Sequence, residues 1–371
     1  MAPVLLHNDL DNNFDIGEIQ YMEIYNNNAY LSLPDEGKIV RVSLLEDNAP
    51  MVDVVTGLSL PTGLQIVGNE LYFLQEANDA LQFNTGKLCK IDVTQTSPAV
   101  TVLHSTLQFP QRLKMNGTTA YIIEAHPVLV NGNFQVEHME LSVVVGSTKT
   151  VLHNNFEYVD DIDYYNNKIY LINWNSNISL SNIQTVDVST NTPNTPQVFW
   201  TDTTGFSPYN LTISGAKMYL NTDSVPAVIR QLDMLNPSAT LVTVASPFGF
   251  NGNTAYVNDM VMAPGNILYA MGRSYVSSQN ATNYLLYKAD LSSLGSDQFE
   301  LSKGIIAFPN PATDSFSIEG YEAEKDFAIY SLDGKEVMRG RYPGSINVAT
   351  FSAGIYLVKL DNGGTVKLQK N

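Results

Sequence analysis

The chain has 371 residues and a formal net charge of −17, with 44% hydrophobic and 15% charged residues. This is the composition of a packed globular protein rather than a disordered one, and so acidic a chain does not hold nucleic acid by neutralising phosphates. It has no apolar run of about 18 residues and a single cysteine, Cys89, which excludes a membrane-spanning helix, an internal disulfide and a zinc site built on cysteines.

The first residues, "MAPVLLH", have neither the basic start nor the apolar stretch of a secretory signal peptide. "PVLLHNDL" (3–10) is similar to "VTVLHSTL" (100–107) and "KTVLHNNF" (149–156), which close two later repeats. The chain is therefore expected to begin on a strand that belongs to its last repeat. The rival is that "SDQFELS" (296–302) fills that place.

From there a single hairpin recurs six times: "IYNNNAYLS", "IVGNELYFL", "MNGTTAYII", "YYNNKIYLI", "ISGAKMYLN" and "APGNILYAM". Each has an apolar strand end, a turn rich in Asn or Gly that tolerates positive φ, and a second strand carrying one tyrosine. Those tyrosines, Tyr30, Tyr72, Tyr121, Tyr170, Tyr219 and Tyr269, are spaced by 42, 49, 49, 49 and 50 residues. The fourth period holds four strand-like runs, "VDDIDYY", "KIYLINW", "IQTVDVS" and "PQVFWTD". Four antiparallel strands in each period of about 40–50 residues make a propeller blade. The sequence thus predicts an all-β fold, a six-bladed propeller over residues 1–303, whose N-terminal strand closes the last blade.

Residues 1–303 carry 29 acidic and 13 basic side chains, and residues 304–371 carry 8 and 7. After Lys303 the period stops. About seven short strands follow, with hairpin turns at Asp333-Gly334 and Asn362-Gly363, predicting a small β-sandwich over 304–371. Here "PNPATDSFSI" (309–318), "YSLDGKEV" (330–337), "INVATFSAGIYLVKL" (346–360) and the basic end "TVKLQKN" stand in order. This stretch resembles the type A C-terminal sorting domain of cargo of the type IX secretion system of Bacteroidota. Its motif residues are Pro309, Asn310, Pro311, Asp333, Gly334, Gly354, Tyr356 and Lys367.

The resemblance implies a secreted or cell-surface protein, carried across the outer membrane after a Sec signal that precedes this chain is removed. It implies as partners the type IX translocon with its shuttle barrel, reading residues 304–371, and a sortase-like peptidase acting near Lys303-Gly304. It also implies O-glycan attachment at short motifs such as Asp202-Thr203-Thr204 and Asp223-Ser224-Val225.

Two places on the propeller hold candidate functional residues. The connections between second and third strands are long in blades two, three, four and six, and long connections on one rigid face are where binding sits. They carry Phe83, His126, Phe134, Trp174 and Tyr275, aromatic rings suited to stacking on a sugar or holding a peptide. The second place is the channel mouth. Aligning the repeats puts Glu18, Gly63, Arg112, Asp161, Asn210 and Asp259 at equivalent points, with Asp160 beside them. Oxygen ligands at Glu18, Asn210 and Asp259 suit Ca²⁺, and this trio resembles the metal site of gluconolactonase-like propellers. Arg112 either opposes such a cation or pairs with Asp161.

His7, His104 and His153 occupy one repeat-equivalent position and read as hydrogen-bonded blade residues. No HExxH, G-x-S-x-G or phosphate-binding glycine loop is present. The leading functional expectation is a binding protein for a glycan, peptide or surface partner, without a cofactor. The alternative is a metal-dependent propeller hydrolase or lactonase.

Overall fold

The computed structural model describes residues 2–8, 10, 19–76, 84–131, 133–175, 180–202, 205–222, 226–250, 253–276, 281–292, 306–319, 325–331, 335–360 and 365–371. The chain divides into two compact units, Met1–Leu291 and Ser292–Asn371. Every named element is a β-strand.

The first unit is a six-bladed propeller. Its blades are six antiparallel four-stranded sheets, five of them in simple chain order. The innermost strands are Met22–Tyr25, Pro61–Val67, Pro110–Asn116, Tyr158–Tyr165, Pro208–Ser214 and Tyr256–Ala263. Each touches the next, and the sixth touches the first, so the ring is closed.

The sixth sheet draws on both ends of the unit. Val4–His7 pairs antiparallel with Ala281–Asp290, setting Val4 opposite Lys288 and His7 opposite Leu286. The strand that would be an open edge is thereby covered, which removes a template for association.

The repeated hairpin builds both the blade and the gap between blades. Asn26, Asn27, Gly68, Gly117, Asn166, Asn167, Gly215, Gly265 and Asn266 all take positive φ, as the tight turn needs. The six tyrosines are buried, from 2% exposed at Tyr30 to 9% at Tyr269. Five of them pack into the apolar layer shared with the following blade: Tyr30 with Leu64 and Phe73, Tyr72 with Leu113, Tyr121 with Val159 and Ile162, Tyr170 with Leu211, and Tyr269 with Met22 and Leu31. Burying one such ring is worth on the order of 2 kcal/mol.

The repeated histidines stitch the outer strands. A ring N–H of His7 donates to Ser43 O (2.9 Å) and one of His104 to Ser147 O (3.2 Å), each on the following blade. His153 bonds the backbone of Asn194 in the same way.

Blade three differs from the loop expected there. "EAHPVLVNGNFQVEH" continues the ladder, and its two middle strands run Thr119–Val130 and Asn133–Val145. His126 and Phe134 therefore lie on strands, His126 opposite His138 and Phe134 opposite Leu129. The alternating apolar pattern around Asn131-Gly132 is the reason, since it is itself a hairpin signal. Tyr275 likewise belongs to a strand, Ile267–Val276.

The second unit is a small β-sandwich. One sheet has Ile306–Phe308, Ser315–Glu319 and Ile346–Asn347. The other has Asp326–Ser331, Glu336–Arg341, Gly354–Leu360 and Thr365–Lys370. Phe316, Ile318, Ile329, Ile346, Val358 and Leu368 fill the core between them.

Candidate functional site

Along an inner strand every second side chain faces the channel. Two layers of side chains therefore line it, in a volume of about 310 Å³. One layer holds Tyr21, Gly63, Arg112, Asp161 and Asp259, and the next holds Glu23, Gln65, Lys114, Asp163 and Thr212.

Arg112, Asp161 and Asp259 thus face a common channel. The place round the ring that sequence alignment gives to Glu18 is taken by Tyr21, whose backbone pairs with Ser32. Glu18 itself lies outside the described residues. The signal was present in the sequence: Tyr21 stands nine residues before Tyr30, as Arg112 does before Tyr121 and Asp161 before Tyr170. The shorter first period, 42 residues, is what misplaces the alignment.

The channel carboxylates bind backbone amides in pairs. Asp161 accepts from Ile162 N (2.8 Å) and from Leu211 N of the next blade (2.9 Å). Asp163 accepts from Tyr164 N (2.7 Å) and Ile213 N (2.6 Å). Asp259 accepts from Met260 N (2.8 Å) and Met22 N (2.7 Å). Gln65 accepts from Met115 N at 2.5 Å. Each therefore ties its own inner strand to the neighbouring one.

Arg112 does not pair directly with Asp161. Its guanidinium donates to Tyr21 OH, to Asp160 O (2.5 Å) and to Gln111 O (3.2 Å), and lies 5.2 Å from the Tyr21 ring centroid. Lys114 Nζ makes the direct ion pair, with Asp163 Oδ1 at 2.9 Å.

Burial, reinforced by the charge of Asp161, pushes the Asp259 carboxyl up to about 8, against its amide bonds. Burial pushes Asp161 up to about 6, opposed by Arg112, and Glu23 up to about 7, opposed by Lys114. Glu76 also rises to about 7 by burial, although Gln111 donates to it at 2.8 Å. Glu23, Gln65, Lys114 and Asp163 stand outside the strand-start positions that the repeat alignment singles out. The two-residue period of the inner strands, counted on from Arg112 and Asp161, would have found Lys114 and Asp163.

Of the three residues expected to hold Ca²⁺, Glu18 lies outside the described residues, which leaves Asn210 and Asp259 to describe. Both Asp259 oxygens go to amides, and Asn221 Oδ1 accepts from Asn210 N at 2.9 Å. Asn210 Oδ1 is buried and has no hydrogen-bond partner. The channel thus works as a cross-linked polar axle, and a ligand there must compete with bonds that hold the blades together.

The long-hairpin face carries the other candidates. His126 stacks on His138 with centroids 4.5 Å apart, and its Nε2 lies 3.5 Å from Glu140 Oε2. Burial lowers the His126 pKa, opposed by Glu140. Trp174 is partly buried, opposite Tyr158 and Ser181. Tyr275 is 55% exposed. Each of the three sits on its own blade. Phe83 and the side chain of Phe134 lie outside the described residues.

In the sandwich the "PNPA" motif fastens the first sheet to the last strand. Asn310 Nδ2 donates to Lys367 O (2.7 Å), and its Oδ1 accepts from Gln369 N (2.8 Å). Pro309 and Pro311 flank it, and Ala312 bridges to Lys370. Tyr356 OH donates to Ser352 O at 2.8 Å and Gly354 opens its strand. Asp333 and Gly334 lie outside the described residues, as do Thr203, Thr204 and residues 223–225.

Comparison with known proteins places both units. The first is similar in fold to the luciferin-regenerating enzyme, with a TM-score of 0.54 and 10% identity over 78% of this chain and 96% of that one. It is similar also to regucalcin, a calcium-binding protein of Agrobacterium tumefaciens strain C58, with a TM-score of 0.52 and 12% identity over 78% and 92%. At such identity the likeness concerns the fold alone. No curated protein matches the chain in sequence. Residues 306–371 match the family described as the secretion system C-terminal sorting domain. The chain is therefore a propeller followed by a type IX sorting domain, a combination that marks it for export to the cell surface or beyond.

Proposed function

We propose that this chain is a surface-displayed or released binding protein of the type IX route, with its propeller as the binding module for a glycan or peptide. The observation that carries the reading is the join of a sorting domain to a ring whose blades lengthen on one face. The hairpins of blades three and six reach 10–13 residues per strand toward that face, while the opposite turns are tight. Trp174, Tyr275 and the His126–His138 stack offer flat rings there, and rigid scaffolds with such edges suit sugar or peptide contact. The sandwich engages the translocon and its shuttle barrel, and a sortase-like peptidase cuts near Lys303-Gly304.

The test is deletion of residues 306–371 in the native host, followed by cell fractionation. The truncated propeller is expected in the periplasm, and normal amounts at the surface would defeat the export reading. Glycan and peptide arrays probed with the parent and with Trp174→Ala and Tyr275→Ala then test the binding face. Equal retention of all three would defeat that part.

A further inference from the structure

A separate cleft lies on the side of the ring, between the outer part of blade four and the third strand of blade five. Its volume is about 530 Å³, within the range of about 300–1,000 Å³ typical of small-ligand sites. Trp200, on the outer strand Gln197–Thr201, forms one wall with one side packed on the Leu211–Met218 apolar layer. Arg230, on Ile229–Asp233, enters from the other blade. Thr201, Ser238 and Thr240 supply hydroxyls.

Arg230 is the decisive residue. Its guanidinium stacks 4.5 Å from the Phe206 ring centroid, which fixes its plane. It makes no ion pair among the described residues, and its Nε is buried without a hydrogen-bond partner. The other charged residue at the cleft, Asp202, is 2% exposed and its Oδ2 accepts the Phe206 N–H. The charge that an incoming molecule meets is therefore positive, on a protein of net charge −17. A held guanidinium without a partner suits a carboxylate, which it binds through two parallel hydrogen bonds. An indole wall beside it suits the apolar face of a sugar ring, and hydroxyls suit sugar hydroxyls.

We infer that this side cleft binds a carboxylated sugar, a uronic acid unit, with Arg230 on the carboxylate and Trp200 under the ring. The site is distinct from the long-hairpin face and stands whether or not that face binds anything.

The test uses the full chain carrying Trp174→Phe, which leaves Trp200 as the sole indole. Indole fluorescence is titrated with trigalacturonate and with neutral galactotriose. Saturable change is expected with trigalacturonate and at least tenfold weaker binding of the neutral trisaccharide. Arg230→Gln is expected to lose about tenfold in trigalacturonate affinity, with Arg230→Lys in between. No saturable response, equal response to both sugars, or unchanged affinity in Arg230→Gln each overturns the inference. Should Arg230→Gln lose its fold by circular dichroism, the acidic-against-neutral comparison on the Trp174→Phe chain decides alone. Loss of array binding by Trp174→Ala with an intact fluorescence response separates this cleft from the hairpin face.

Discussion

Asp259 of blade six accepts the backbone N–H of Met22 of blade one at 2.7 Å, across 237 residues of chain. The ring is therefore joined at its inner wall as well as at its rim, where Val4–His7 completes blade six. The two joins differ in chemistry: one is a half-buried carboxylate facing the channel, the other a strand ladder backed by Leu6 against the apolar layer.

The inner join should make stability depend on pH. Asp259 has an ordinary value of 3.8 and rises to about 8 in the fold through burial and the charge of Asp161. A raised carboxyl means that the folded ring binds more protons than the unfolded chain between those values. Stability is then fullest at the acid end of that window and falls as pH rises through the folded value. Glu23, Glu76 and Asp161 act in the same sense, Glu23 and Asp161 facing Arg112, Lys114 and Asp163 in the channel and Glu76 standing in the field of Arg112. His7, His126 and His153, lowered by burial, act oppositely below their ordinary 6.5, so the clean comparison lies above it. Thermal unfolding should show Tm falling from pH 6.5 to about 8.5, with a flatter profile in Asp259→Asn. Parallel profiles would refute the assignment.

The outer join should contribute roughly 3 kcal/mol, as a four-residue strand whose two leucines are half-buried. Removing residues 2–8 is expected to lower Tm by about 5–10 °C. It should also produce higher-order species on size-exclusion chromatography, because the Ala281–Asp290 edge becomes exposed. A monodisperse variant with parental Tm would show the strand to be dispensable.

Blade three holds a buried charge cluster. Lys149 Nζ lies 2.5 Å from Glu124 Oε1 and 3.1 Å from Glu140 Oε1, and Glu124 is 0% exposed. Gln108 N and Ser142 Oγ complete the shell around Glu124 at 2.7 Å and 2.6 Å. Lys149→Met leaves two buried carboxylates without their cation and should cost about 3–5 kcal/mol. Glu124→Gln, which keeps the acceptor oxygen, should cost clearly less. Chemical denaturation gives both values, and the reverse order would contradict the geometry.

Asn310 is the third seam. Asn310→Ala removes two hydrogen bonds between the motif and the last strand and should cost the sandwich about 1–3 kcal/mol. In calorimetry of the full chain, the sandwich transition should drop while the propeller transition stays. A shift of both together would mean that the units unfold as one.

The hairpin period made the ring legible in the sequence, because turn chemistry and a recurring tyrosine are local signals. Arg112, Asp161 and Asp259 were legible for the same reason, standing nine, nine and ten residues before those tyrosines. Glu18 was misaligned because blade one is shorter, and Tyr21 fills its place. Lys114 and Asp163 do not stand at the strand starts that the repeats align; they are the alternate residues that share the channel face of each inner strand. Arg230 and Trp200 lie on different blades, 30 positions apart in sequence, and only the folded ring sets them beside one cleft.

The strand that closes the ring has a mechanical meaning. Ala281–Asp290 leads out of the propeller toward the sorting domain, and it is flanked by Ile267–Val276 on one side and Val4–His7 on the other. A pull on the C-terminal end of this strand would thus be shared between two ladders instead of peeling a free edge. The first residues of the chain act as a brake on unravelling from its far end.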